Sequence, residues 1–354
     1  MNLFLNPPAS WSNAIRSLRA AWEAGRFPQA VLLDGPSGIG KKLLAMDLAA
    51  FLTCESDANR PCGKCFACRL AHDSGATNQW LIPLVGLDSK ERESEEKVGQ
   101  ASFEILQQIH ENPYRLGIIA ATAYIAVAQV RALRAHCSLK ASGTRSYIIA
   151  EADAMNDNAA NALLKTLEEV PPRTYFILTS SKRHNLLQTI QSRCMPLRLP
   201  PLRPEEIALI LSERGLQTPS ADLLGLAMGS VGKAMQCLEL DLTETQNHVL
   251  EYLECVRNKQ WSLAFRKMDS WFGKELDPVF FFLDVLAVVL QDQVRSSSAS
   301  PIRFPSLHGK LDGFAPDRVN RMIVQVSHAC MRLEERKGSV SVVMQTLALQ
   351  MGES

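Results

Sequence analysis

Short apolar runs bounded by turn residues recur through the first two hundred residues, and helical patterns separate them. AVLLD (30–34), SYIIA (146–150) and TYFILTS (174–180) are continuous enough to be strands buried on both faces. NDNAANALLKTLEEVPP predicts a helix. Asn156 or Asp157 is its N-cap, Ala160, Leu163, Leu164 and Leu167 form one apolar stripe, and Pro171 and Pro172 stop it. Strands alternating with helices predict an α/β fold with a largely parallel sheet. After LRLPPLRPEE (197–206) the strand patterns cease. EEIALILSERG and ADLLGLAMGSVGKAMQCL predict a small helical domain over 201–241, and the pattern from 242 to 354 is all-helical, interrupted by SSSASPIRFPSLHG (296–309). Trp261, Trp271 and Phe280 to Phe282 sit among aliphatic residues and read as core, not as a stacking surface for bases. DSKERESEEKVGQ (88–100) reads as a solvated loop insertion.

Composition adds constraints. The chain has 354 residues, 46% of them hydrophobic, which suits two or three soluble domains. With 38 Lys and Arg against 37 Asp and Glu, the formal net charge is +1, so no global field draws the chain to nucleic acid or to an anionic membrane. MNLFLNPPASW has no basic stretch leading into an apolar one, and the longest apolar run, VFFFLDVLAVVL, is interrupted by Asp284 and too short to span a bilayer. A cytoplasmic chain with no membrane contact is expected.

GPSGIGKK (35–42) joins AVLLD to the helical pattern LLAMDLAAFL. Gly35, Gly40 and Lys41 have the spacing of a phosphate-binding loop, in which backbone N–H groups and the lysine meet phosphate oxygens and a following Ser or Thr hydroxyl ligates Mg²⁺. Here Lys42 follows instead, an ammonium with no lone pair for a metal. The later strand reads YIIAEAD, so Ala150 stands where the first metal-associated carboxylate belongs, and Glu151 remains as a residual acid. Two metal positions lost together predict a degenerate site in which hydrolysis is absent and ATP/Mg²⁺ binding is left open.

Nine cysteines are present, and Cys54, Cys62, Cys65 and Cys68 fall within CESDANRPCGKCFACR. Two adjoining C-x₂-C turns with a fourth thiol predict a closed tetrahedral Cys₄ site, hence structural Zn²⁺ with no open position for catalysis. Of the competing readings, a redox C-x₂-C pair would leave two cysteines unexplained, and an iron–sulfur cluster usually needs a different run. His72 reads as a surface residue that could replace one thiolate.

GPSGIGKK, the cysteine module after the loop helix, AEADAMNDNAANALLKTLEEVPP, FILTSS, LLQTIQSRC and GSVGKAM occur in the order seen in bacterial DNA polymerase III clamp-loader subunits of the AAA+ class, which this chain resembles over about two thirds of its length. Lys42 and Ala150 place the resemblance on the delta-prime branch. The resemblance implies an AAA+ P-loop domain (1–200) with a zinc module at 54–68, a helical lid (201–241) and a helical collar (242–354). It implies that Arg193 in SRC is an arginine finger acting in trans and that Ser180, or Thr179 beside it, holds the first sensor position. A sensor arginine is missing from GSVGKAM, where Gly232 and Lys233 stand. The implied role is a stator that is not catalytic alone. Its implied partners are gamma/tau and delta subunits and, through the assembly, the sliding clamp and primed DNA. An active gamma/tau-type ATPase and a stand-alone zinc-containing nucleic-acid-binding protein are the rival readings; the first conflicts with Lys42 and Ala150, the second with the neutral charge and the lack of a basic–aromatic stripe.

Overall fold

The computed structural model describes residues 4, 6–57, 59–73, 79–84, 87, 92, 94–114, 123–139, 143–272, 276–296, 300–307, 314–334 and 339–353. The chain forms two compact units, Met1–Glu206 with Ser230–Gly232, and Ile207–Gly229 with Lys233–Ser354.

In the first unit, the described residues form one parallel sheet from β1 (Ala30–Asp34), β2 (Trp80–Leu81), β3 (Arg145–Ile149), β4 (Thr174–Ser180) and β5 (Met195–Arg198), in the order β2-β3-β4-β1-β5. Around it lie α1 (Ser12–Glu23), α2 (Lys41–Thr53), α3 (Phe66–Leu70), α4 (Glu95–Glu111), α5 (Val127–Ser138), α6 (Asp157–Glu168) and α7 (Gln188–Arg193). The apolar runs are strands because both faces are covered: Leu32, Ile149, Phe176 and Leu178 share one buried cluster with Val130, Leu133, Leu163, Leu167 and Ile190, and on the opposite face Val31, Leu33, Ile148 and Ile177 are buried as well. Tyr147 stacks on Phe176 with centroids 5.5 Å apart. Asn156 caps α6 by accepting from the Ala159 N–H at 2.8 Å. SYIIA is shifted by one residue, since β3 ends at Ile149 and Ala150 begins a turn.

The charged segment 88–100 is not wholly a loop. Ser94 caps α4, accepting from the Lys97 N–H at 3.4 Å, so 95–100 are helical. Residues 88–91 and 93 lie outside the described residues. Glu96 and Lys97 are exposed at the start of an amphipathic helix whose buried side, Leu106 and Ile109, comes later in the sequence, whereas Arg92 is buried and donates to the Leu84, Leu87 and Tyr124 carbonyls, so it is not a solvated charge.

The second unit is helical among its described residues: α8 (Pro204–Glu213), α9 (Ala221–Ala227), α10 (Val231–Glu239), α11 (Leu242–Arg257), α12 (Trp261–Phe272), α13 (Leu276–Ser296), α14 (Pro316–Glu334) and α15 (Val340–Glu353). Its centre is aromatic, with Tyr252 edge-on to Phe282 at 5.5 Å and Phe272 at 5.1 Å from the same ring. After α13, buried Asp292 accepts the Arg303 and Phe304 N–H groups and so ties the Pro-rich connection back to the helix. Among the described residues no helix is long and apolar enough to cross a membrane, and α13 is instead buried within this unit.

Candidate functional site

The loop GPSGIGKK lies between β1 and α2, as its flanking patterns require. Gly35 is needed for close approach: a Cβ there would lie 2.3 Å from the Leu199 carbonyl oxygen. Gly40 starts α2 with φ 105°, a conformation that favours glycine. The loop is also held from outside, because the Gly232 N–H donates to the Gly38 carbonyl at 2.9 Å.

Lys41 is buried, and its ammonium donates to the Gly35 and Pro36 carbonyls at 2.7 and 2.6 Å and to Ser181 Oγ at 2.9 Å. Those three bonds use all three of its protons. Burial lowers its pKa from 10.5 to about 8, against the attraction of Asp153 and Glu151. Between these values the unfolded chain holds a proton that the folded chain has released, so the contribution of Lys41 to stability rises with pH across that window. Denaturant unfolding of Lys41→Met and the native chain is expected to show the native chain gaining, relative to the variant, on the order of 3 kcal/mol at most from pH 8 to 10.5. A stability difference that stays constant with pH would contradict this.

Lys42 turns to Glu151, Nζ to Oε1 at 2.8 Å, with both side chains mostly shielded from solvent. Glu151 sits just beyond β3 with φ 51°, and its N–H donates to Thr179 Oγ1 at 2.9 Å. Glu151 is thus fixed at backbone and side chain, its carboxylate matched by the lysine that follows Lys41. Ala150 beside it is buried.

Side chains alternate along β4, so Thr179 and Ser181 share a side while Ser180 faces the other way. Ser180 Oγ is fully buried and has no hydrogen-bond partner among the described residues. The structure therefore brings Thr179 to Glu151 and Ser181 to Lys41, and does not bring Ser180 to either. Asp153, which accepts from the Ser181 N–H at 3.2 Å, completes the group. Both Ser181 and Asp153 are visible in FILTSS and AEAD, yet the loop-facing strand parity that selects them needs the register.

Arg193 ends α7, one residue before buried Cys194 and the terminal strand β5. Gln191 secures the helix by donating to the Arg183 and Leu186 carbonyls at 3.1 and 2.9 Å. The guanidinium is partly exposed, donates to the Thr189 carbonyl at 3.0 Å and forms an ion pair with Glu168 at the end of α6.

Cys54, Cys62, Cys65 and Cys68 converge, with all four sulfurs within 4.8 Å of one another. Tetrahedral zinc with Zn–S bonds of about 2.3 Å sets sulfurs about 3.8 Å apart, so the set fits the ion. Backbone N–H groups point at the sulfurs, from Cys62 to Cys54 at 3.3 Å, Cys65 to Cys62 at 3.3 Å and Cys68 to Cys65 at 3.4 Å. Such donors favour thiolates: the N–H groups of Lys64 and Cys65 hold Cys62 down at about 6. Burial pushes Cys68 up to about 12, and a bound divalent cation is what would offset that. His72 is not among the converging ligands; its Nε2 lies 3.4 Å from buried Asp47 on α2.

Comparison with known proteins gives concordant matches. A family model described as "DNA polymerase III, delta subunit" matches residues 11–203. The DNA polymerase III subunit delta' of Bacillus subtilis (strain 168) is 28% identical over 273 residues, 76% of this chain and 73% of that one. The subunit of the same name from Pseudomonas aeruginosa is 31% identical over 271 residues, 75% of this chain and 72% of its own. That of Escherichia coli (strain K12) is 26% identical over 323 residues, 88% and 84% of the respective chains.

Proposed function

Because this chain belongs to the delta-prime family of DNA polymerase III clamp-loader subunits, we propose that it is a stator whose own nucleotide site does not hydrolyse ATP and whose Arg193 serves a neighbouring subunit. The observation that carries the first half is the Lys42–Glu151 ion pair. In a hydrolytic loop the residue after the lysine ligates Mg²⁺ and the acid beside the strand polarises water. Here a cation occupies the first position and neutralises the second. Lys41, the remaining phosphate-facing group, has its protons on Gly35, Pro36 and Ser181.

The proposed organisation is an AAA+ domain over 1–200 with a zinc module at 54–68, a lid over 201–241 and a collar over 242–354. Within the second unit, Val324, Met331, Val342 and Leu349 leave apolar side chains exposed on α14 and α15, which supports a collar that meets other subunits. The proposed partners are gamma/tau and delta subunits, and through them the clamp and primed DNA.

The test is Lys41→Ala in this subunit alone, within a reconstituted clamp loader. ATP turnover is expected to stay within about twofold of the native assembly, because the metal positions are already lost. Loss of a full site's share of turnover from an intact assembly would favour an active ATPase of gamma/tau type.

A further inference from the structure

We propose that Glu168 is the positioning residue for Arg193: a resident counter-ion that parks the guanidinium and that Arg193 leaves when it reaches the phosphate of an adjacent subunit. This rests on the arginine-finger reading above.

Glu168 and Glu169 close α6, where the helix dipole is negative and acidic side chains are disfavoured. Two arginines compensate. Arg134 approaches Glu169 at 3.9 Å, while Arg193 makes the closer contact with Glu168. The two arms of Arg193 are used differently. Nη1 holds the carbonyl of Thr189 within its own helix, at 3.0 Å, and Nη2 reaches Glu168, 25 residues away in sequence. The first contact fixes where the side chain starts, and the second fixes which way its free edge points. Both partners are accessible, with 35% of the Arg193 and 48% of the Glu168 side chain exposed. An exposed ion pair of this kind is weak, so a polyanionic phosphate outcompetes the single carboxylate for a bidentate donor. Glu168 thus sets a low threshold that keeps Arg193 back until a nucleotide-bearing neighbour is in place.

The experiment uses the assembled clamp loader carrying Glu168→Gln, Arg193→Ala or both, with ATP turnover measured in the absence and presence of clamp and primed DNA. Glu168→Gln is expected to raise unstimulated turnover at the one site Arg193 faces about two- to fivefold, the range open to an exposed ion pair, so that total unstimulated turnover rises by that site's share, and to leave the stimulated rate unchanged. The double variant is expected to match Arg193→Ala alone. A Glu168 of merely structural importance would lower both rates together. Unchanged or lowered unstimulated turnover in an intact Glu168→Gln assembly, or a rise that persists without Arg193, overturns the proposal. A native rate from Arg193→Ala overturns instead the finger reading beneath it. Should Glu168→Gln fail to assemble, Glu168→Asp, which shortens the carboxylate's reach, gives the same readout.

Discussion

Arg193→Ala is expected to leave the chain folded and able to join its partners, yet to depress ATP turnover at the one neighbouring site it faces by roughly 10³-fold or more, the range of trans-acting arginines. Folding is spared because the side chain is partly exposed and its ion pair with Glu168 contributes at most about 1 kcal/mol. Catalysis is not spared, since a guanidinium is always charged and offers two donors in fixed geometry to oxygens that gain charge in the transition state. Arg193→Lys is expected to recover little, because a lysine at the end of α7 presents a single point of charge. Total turnover should fall only by the share of that one site, while clamp loading should slow more, because loading requires the sites to act together. Single-turnover ATP hydrolysis and clamp-loading rates measured on the same preparation separate the two effects. Native rates in both assays would make Arg193 a surface residue whose role ends at Glu168.

The parts of the fold that sequence makes legible are those whose physics is local. AVLLD and TYFILTS coincide with β1 and β4 because a run of apolar residues bounded by turns suits a buried parallel strand. Asn156 and Asp157 are both candidate caps, and the choice between them follows from which side chain accepts the Ala159 N–H. The four cysteines converge as their spacing predicts.

What escapes sequence reading is which residue meets which across the sheet. Lys42 is legible in GPSGIGKK, but its pairing with Glu151 depends on α2 and the end of β3 coming together. Of the two sensor candidates, Thr179 turns its hydroxyl to Glu151 while Ser180 meets the loop only through its carbonyl, which accepts the Gly35 N–H, and Ser181 just beyond β4 meets Lys41. A period of two makes any such assignment depend on register. Glu168 has no motif of its own to separate it from Glu169, and only the approach of α7 to the end of α6 distinguishes them.

Protein purified without chelator is expected to carry about one zinc per chain, and Cys65→Ser is expected to abolish that content. Cys54 ends α2 and Cys68 lies in α3, whose thiol donates to the Ala50 carbonyl at 3.6 Å, so the ion would join the loop helix to the short helix that follows. Four thiolates in this arrangement supply binding on the order of 10 kcal/mol, and where the site forms only on folding that binding is folding free energy. Removing one ligand leaves three thiols that no longer close the tetrahedral site, and the segment from Cys54 to Ala71 should become open to proteolysis. The sheet should persist in Cys65→Ser, because β1, β3 and β4 are buried by residues outside the module. Metal analysis, limited proteolysis and circular dichroism on one preparation check all three outcomes. Acid should release the metal, since protons compete for the same sulfurs. Full zinc content in Cys65→Ser would remove that thiol from the site, and its absence from the native chain would leave the convergence of four sulfurs without its cation.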